Sequence, residues 1–308
     1  MKSLYACLLA APLALAAAGA SGQVAATVEA IQMPAWVERN ARRTPLVPGM
    51  ELRAGDLLYT GDEARLLMKL ADGSLLKLGQ NGTLRFSDLA AVEEEPPKED
   101  KAEKTEKTPP KLEALKAVIE VLEGPFRFTT ERPSPGLKRQ LSVQLGQIAI
   151  AVRGTDLWGR LEAGREIICL LEGRIEVTAE GEPAVALSQP RQLYQREYGL
   201  TLPLDSADAE QVADWIRETD IQPGRGAARR GGRWNAVLAS DANQAAALAV
   251  YDELRGAGYP AEIFPTPEGG RLVYVVLIRR MPSRAEAIAL GGVLSGRYGI
   301  ITNPRASQ

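Results

Sequence analysis

Residues 232–306 consist of two similar halves, and that duplication limits the folds open to them. The first half runs Trp234-Asn235-Ala236-Val237-Leu238-Ala239-Ser240 into an alanine-rich stretch ending at Leu254 and Gly258. The second runs Leu272-Val273-Tyr274-Val275-Val276-Leu277-Ile278 into Ser283-Arg284-Ala285-Glu286-Ala287, then Leu290, Leu294 and Gly299. The aliphatic and aromatic runs suit strands. Ala247, Val250, Tyr251 and Leu254 fall at i, i+3, i+4 and i+7, which makes one apolar helix face, and Ala287, Leu290 and Leu294 do the same. Ser283 with Glu286 three residues on predicts a capping box at the start of that second helix. Further strands are expected at 261–264 and 299–303. The order is then β-α-β-β-α-β, an α+β ferredoxin-like sandwich of two helices on an antiparallel sheet.

With Gly258-Tyr259-Pro260-Ala261, Tyr274 and Pro282-Ser283-Arg284-Ala285-Glu286-Ala287, the stretch 233–305 resembles a SPOR domain. That resemblance implies a module that binds peptidoglycan glycan strands. Three places differ from the family pattern. Val237 stands where a glutamine is usual, Val275 where an arginine is usual, and Arg279-Arg280-Met281 where Gly-Pro-Phe is usual.

Recognition of a glycan needs a shallow groove with apolar platforms and a few placed hydrogen-bonding groups. Side chains alternate between the two faces of a strand. Ala236 and Leu238 are expected to meet the helices, with Tyr274, Val276 and Ile278 as counterparts. Asn235, Val237, Ala239, Val275, Leu277 and Arg279 then line the open face, and a register slip of one residue would swap the two sets. Tyr274 and Trp234 are stacking candidates, although core packing is the commoner fate of such rings. The expected glycan-binding set is Asn235, Val237, Ala239, Tyr274, Val275, Leu277 and Arg279.

The start of the chain reads as a secretory signal peptide over 1–20. Lys2 supplies a positive charge, residues 4–18 an apolar run, and Ala18-Gly19-Ala20 a cleavage site. The run is shorter than the roughly 20 residues needed to span a bilayer. Cys7 lies inside it rather than at its end, so no lipobox is present. The expectation is an exported, soluble protein, most simply periplasmic, with no membrane span.

Composition narrows the chemistry. The chain of 308 residues is long enough for two ordinary domains and has a net charge of −2, which argues against a general nucleic-acid binder. It has no histidine, which removes Ser-His-Asp triads, Cys-His pairs and histidine-ligated zinc. Of two cysteines, Cys7 leaves with the signal, and Cys169 sits in a buried-strand pattern, Ile167-Ile168-Cys169-Leu170-Leu171. It is read as a small core hydrophobe. No metal and no cofactor is expected.

From 24 to 89, Pro48-Gly49, Gly55-Asp56, Gly61-Asp62, Asp72-Gly73 and Asn81-Gly82 punctuate short apolar runs, as in all-β domains. Asp72-Gly73 is expected to form a hairpin with a type I′ turn. Asn81-Gly82-Thr83 also fits a glycosylation acceptor, but a turn is the better reading.

Pro48-Gly49-Met50-Glu51-Leu52-Arg53-Ala54-Gly55-Asp56, Leu70-Ala71-Asp72-Gly73-Ser74, Glu123-Gly124-Pro125-Phe126-Arg127-Phe128 and Ile148-Ala149-Ile150-Ala151-Val152-Arg153-Gly154-Thr155-Asp156 resemble a FecR-type periplasmic domain. The resemblance spans 28–187 and implies an all-β module, in relatives often a sensing part. Those regulators usually add a cytoplasmic segment and a membrane helix, and neither is read here. The charged, proline-flanked stretch 93–111 lacks large apolar residues and is expected to be a disordered insertion.

Leu122-Glu123-Gly124-Pro125-Phe126-Arg127-Phe128-Thr129 is echoed by Leu171-Glu172-Gly173-Arg174-Ile175-Glu176-Val177-Thr178, which suits a β-solenoid or sandwich core. Arg153-Gly154-Thr155-Asp156 is read as fixing a turn rather than as a ligand site. A helix over 205–219, capped by Ser206, with Ala209, Val212, Ala213 and Ile216 on one face and Trp215 beside it, closes the β domain at 24–204. Residues 220–232, rich in glycine and arginine, are read as a solvated linker.

The function this supports is a non-catalytic envelope protein whose partners are peptidoglycan glycan strands and other envelope proteins. A scaffold whose SPOR-like module meets a protein, and a two-carboxylate glycan hydrolase, stay open as rivals.

Overall fold

The computed structural model describes residues 24–93, 112–130, 136–300 and 305–308. The expected signal peptide and residues 94–111 of the charged stretch lie outside the described residues.

The strand Leu112–Thr129 organises the β part because it belongs to two sheets. Its first half pairs with Thr83–Glu93 and, in parallel, with Lys138–Leu145. Its second half pairs with Leu75–Leu78 and Asp156–Glu162 in the other sheet. The crossing falls at Gly124, where φ is +82°. The repeated sequence gains its physical meaning here, since Gly173 (φ +88°) also sits where the chain leaves one sheet for the other. Each glycine packs against another glycine's backbone. A Cβ on Gly124 would lie 2.7 Å from Gly82 Cα, and one on Gly173 would lie 2.5 Å from the Gly154 oxygen. Strands that switch sheets at such bends make the corners of a sandwich.

Period-2 burial fills the space between the sheets. Ile148–Val152 and Ile175–Ala179 alternate buried and exposed residues without a break. Phe86, Phe126 and Phe128 are fully buried within one continuous apolar cluster. Each such side chain stabilises the fold by roughly 1.5–3 kcal/mol.

Three motif residues turn out to be structural. Asp156 of Arg153-Gly154-Thr155-Asp156 accepts two hydrogen bonds from Arg127, at 2.9 and 2.6 Å, and one from the Thr129 hydroxyl. Thr155 N–H donates to the Thr130 hydroxyl at 2.7 Å. Asp56 accepts from the Arg39 guanidinium at two positions and from Arg53 N–H. The Asp72-Gly73 turn differs from the expected type I′, because only Gly73 has positive φ. Leu70 N–H reaches the Ser74 oxygen across a three-residue loop, and the Asp72 carboxylate accepts from Ser74 N–H. A three-residue hairpin needs a single left-handed residue at its end, which glycine provides.

Helix α1 (Ala209–Thr219) lies on the outer face of one sheet. Its cap is Asp208, which accepts from Gln211 N–H, and not Ser206, which belongs to the short strand Asp205–Ser206. Its buried stripe is Val212, Trp215 and Thr219 rather than one through Ala209, which is exposed. Trp215 stacks on Trp158 with centroids 4.4 Å apart and planes 2° from parallel.

Cys169 is fully buried in this same cluster, and burial pushes its thiol up to about 12. Burial, then the neighbouring Tyr298, pushes the Tyr259 hydroxyl up to about 12 as well. Both groups are neutral when folded and ionise first in the unfolded chain. The stability they contribute is therefore present below their ordinary values of 9.0 and 10.0 and lost as pH rises toward about 12. Urea midpoints measured from pH 8 upward should fall across that window, while native Cys169 stays unlabelled by thiol reagents at pH 8.

The C-terminal part is the expected sandwich. Trp234–Asp241, Glu262–Glu268, Arg271–Met281 and Arg305–Ser307 form one antiparallel sheet, with Arg271–Met281 and Trp234–Asp241 at its centre and the other two at its edges. The second strand is longer than expected and contains Pro265 and Pro267, which an edge position tolerates. The last strand begins at Arg305, and the expected one at 299–303 lies mostly outside the described residues. Helices α2 (Gln244–Gly256) and α3 (Arg284–Leu294) bury Ala247, Leu254, Ala287, Leu290 and Leu294 against the sheet.

Residues 220–232 are not a solvated linker. Ala228–Arg229 adds as a short strand to Ala26–Gln32, and Arg230 N–H donates to the Glu29 oxygen at 2.8 Å. The Glu286 carboxylate accepts from the N–H groups of Gly224, Gly226 and Ala227. The predicted capping box is thus only half formed. Ser283 caps Glu286 N–H, while the Glu286 side chain holds the preceding segment instead of bonding back.

Candidate functional site

The open face of the C-terminal sheet follows from cross-strand partners, which share a face. Ala236 pairs with Ile278, and both are fully buried toward the helices. Val237 pairs with Leu277 on the opposite face. Leu277 also pairs with Glu262, and Val275 with Phe264. On the other side Asn235 pairs with Ser307 and Val237 with Arg305. The structure therefore brings Asn235, Val237, Val275, Leu277 and Arg279 together on one surface. Phe264, Glu262, Arg305 and Ser307 join them.

Two expected members lie elsewhere. The pairing register shifts between Val237 and Ala239, so that Leu238 and Ala239 together oppose Val276. Such a bulge turns consecutive side chains the same way. Ala239 accordingly packs with the helix-side core, and Ser240, paired with Val275, takes its place on the open face. Tyr274 also packs with the helix-side core. Its partners are Asp241 and Pro265. The tyrosine ring is half-buried among core residues and does not reach the open face.

The surface carries an apolar centre with polar groups around it. Val237, Val275 and Phe264 are half-buried and Leu277 is nearly covered by its neighbours. The Arg279 guanidinium lies 4.6 Å from the Phe264 ring centroid and 3.1 Å from the Glu262 carboxylate, with half of its side chain exposed. The Asn235 amide donates to the Ser307 hydroxyl at 3.3 Å. These interactions stay within the sheet. An arginine held by a carboxylate on one side and a ring on the other loses little freedom when it meets a ligand. Phe264 and Arg305 were not read from the sequence as site residues. The signal for Phe264 was present, since it lies in a strand expected at 261–264.

The β part meets this domain through Trp36, Gly49 and residues 224–230. A Cβ on Gly258, whose φ is +88°, would lie 2.4 Å from the Trp36 ring, and Ala35 N–H donates to the Gly258 oxygen. The Arg43 guanidinium stacks on both Trp36 and Tyr59, at 4.4 and 4.3 Å. A cavity of about 360 Å³ lies at this seam, lined among others by Lys77, Asp220, Arg229, Pro282 and Glu286.

Comparison with known families matches residues 56–176 to the FecR protein family and residues 207–299 to the SPOR domain. No curated protein matches the chain. Two crystal structures of a "putative anti-sigma factor" from Parabacteroides distasonis ATCC 8503 are similar to it. The 1.65 Å structure is 18% identical over 52% of this chain and 64% of that one, with a TM-score of 0.37. The chain thus spans less than two thirds of that neighbour. The 2.50 Å structure is 16% identical over 77% of this chain and 89% of that one, with a TM-score of 0.38.

Proposed function

We propose that this chain, a FecR region followed by a SPOR domain, is a non-catalytic cell-envelope protein that binds peptidoglycan glycan strands. The SPOR domain is a peptidoglycan-binding module, and neither family is enzymatic. In this reading residues 1–20 are an export signal. Residues 24–204 form the β domain with its insertion at 93–111. A helix and a packed connecting segment follow, and residues 233–305 are the glycan-binding module in the periplasm.

The observation that carries the reading is the open sheet face. Sugar rings present apolar C–H faces edged by hydroxyls. Val237, Val275, Leu277 and Phe264 supply a matching apolar platform, and Asn235, Arg279, Glu262 and Arg305 supply donors and acceptors around it. The platform is more aliphatic than the family pattern, which places glutamine and arginine at Val237 and Val275. That departure favours a second reading, in which the same face meets a protein of the envelope.

Sedimentation of the full chain with purified sacculi separates the two. The wild-type chain should pellet with sacculi stripped of proteins. Arg279→Ala should weaken binding by about tenfold or more, since a charge-assisted hydrogen bond and a stacked guanidinium are lost together, roughly 1.5–3 kcal/mol. A wild-type chain that stays in the supernatant favours the protein partner.

A further inference from the structure

We infer that Arg280 is a positioning residue of the carbohydrate face, so that the FecR region takes part in a site lying on the SPOR domain. The inference rests on the glycan reading above.

Arg280 has φ +67°, a backbone conformation that glycine adopts freely and other residues adopt at a cost. The reason is a bulge. Ile278 pairs with Ala236 and Met281 with Trp234, so Arg279 and Arg280 together stand opposite Asn235. Without the bulge, strict alternation from Ile278 would turn Met281 to the open face. With it, Met281 is fully buried while Arg279 stays on the open face, beside Phe264 and Glu262. Bulges of this kind re-aim a neighbouring side chain.

The core does not require the arginine, because its side chain is exposed. What holds it is the seam between the two parts of the protein. A methyl group on Gly49 would lie 2.9 Å from the Arg280 guanidinium. A Cβ on Gly232 would lie 2.2 Å from the Arg280 carbonyl oxygen and 2.8 Å from the Met281 carbonyl carbon. Gly232 ends the segment that Arg230 ties to Glu29 of the β part. Gly49 of the β part and Gly232 of the connecting segment thus lie against the bulge, and the residue next to Arg280 is the arginine that faces the ligand.

The test is Arg280→Gly in the full chain. Glycine accepts the left-handed backbone without strain and removes the guanidinium that reaches Gly49. Sacculus binding should fall about fivefold, while the melting temperature holds or rises. A residue with a merely structural role would lower both together, and that parallel loss overturns the inference, as does unchanged binding. The Arg279 side-chain N–H resonance gives a readout that needs no sugar. It should shift in Arg280→Gly as the guanidinium leaves Phe264 and Glu262, and an unshifted signal overturns the positioning role. A wild-type chain that fails to pellet defeats the glycan reading instead, and the resonance still decides the role of Arg280.

Discussion

Replacing Trp158 by alanine should destabilise the protein by about 3–5 kcal/mol, the range for removing a large aromatic from a packed site. Trp158 is fully buried between the sheet and α1 and stacks on Trp215. Cys169, Ile167, Leu193 and Ala207 complete the cluster. Its loss leaves α1 without the surface it covers. The indole N–H has no hydrogen-bond partner among the described residues. Trp158→Phe should therefore cost much less than the alanine variant, because it keeps a stacked ring and removes a buried donor that costs free energy. Chemical denaturation of the two variants checks this. Equal losses would mean that the indole is satisfied in some way other than stacking.

Asp72→Ala should cost a comparable amount, about 3–5 kcal/mol, for a different reason. The Asp72 side chain is fully buried and the Arg139 side chain is 9% exposed, with 2.8 Å between Nη1 and Oδ2. The pair joins a hairpin of one sheet to the strand Lys138–Leu145 of the other. Removing one partner of a buried pair leaves the other charge without that compensation, which is why the loss exceeds what the pair contributes net. Asp72→Asn should fall between, since an amide oxygen can still accept from Ser74 N–H but carries no charge for Arg139. Urea unfolding of the three proteins reads the order directly, and an alanine variant within 1 kcal/mol of wild type would remove the motif from the structural frame.

The sequence conveyed periodic features well and local departures from periodicity poorly. The helix faces at Ala247–Leu254 and Ala287–Leu294 are regular, and the buried residues fall where the spacing puts them. The strand faces were legible as far as alternation holds, which covers Asn235, Val237, Val275, Leu277 and Arg279. They ceased to be legible at the bulge after Val237, which moved Ala239 to the helix side, because nothing in Leu238-Ala239-Ser240 signals an extra residue. The bulge at Arg280 is hidden for a related reason, since a glycine conformation is occupied by an arginine. Charged side chains misled where they had distant partners. Glu286 read as a local cap, but its carboxylate faces backbone N–H groups some sixty residues earlier. The run at 220–232 read as solvated from composition, whereas edge pairing to Ala26–Gln32 depends on the backbone and leaves little trace in side chains. The FecR-like motifs were legible as turns because Gly124, Gly154 and Gly173 occupy positive φ at corners where no Cβ fits or the backbone demands it.

The central claim is that the uncovered sheet face of the SPOR domain contacts carbohydrate. Amide and methyl shift mapping on the full chain, titrated with solubilised glycan strands, tests it most directly. The account predicts perturbations at Asn235, Val237, Phe264, Val275, Leu277 and Arg279, with Leu238, Ala239 and Ile278 on the helix side little changed. Shifts confined to the helix side or to the seam near Trp36, or no shifts at all, would contradict it.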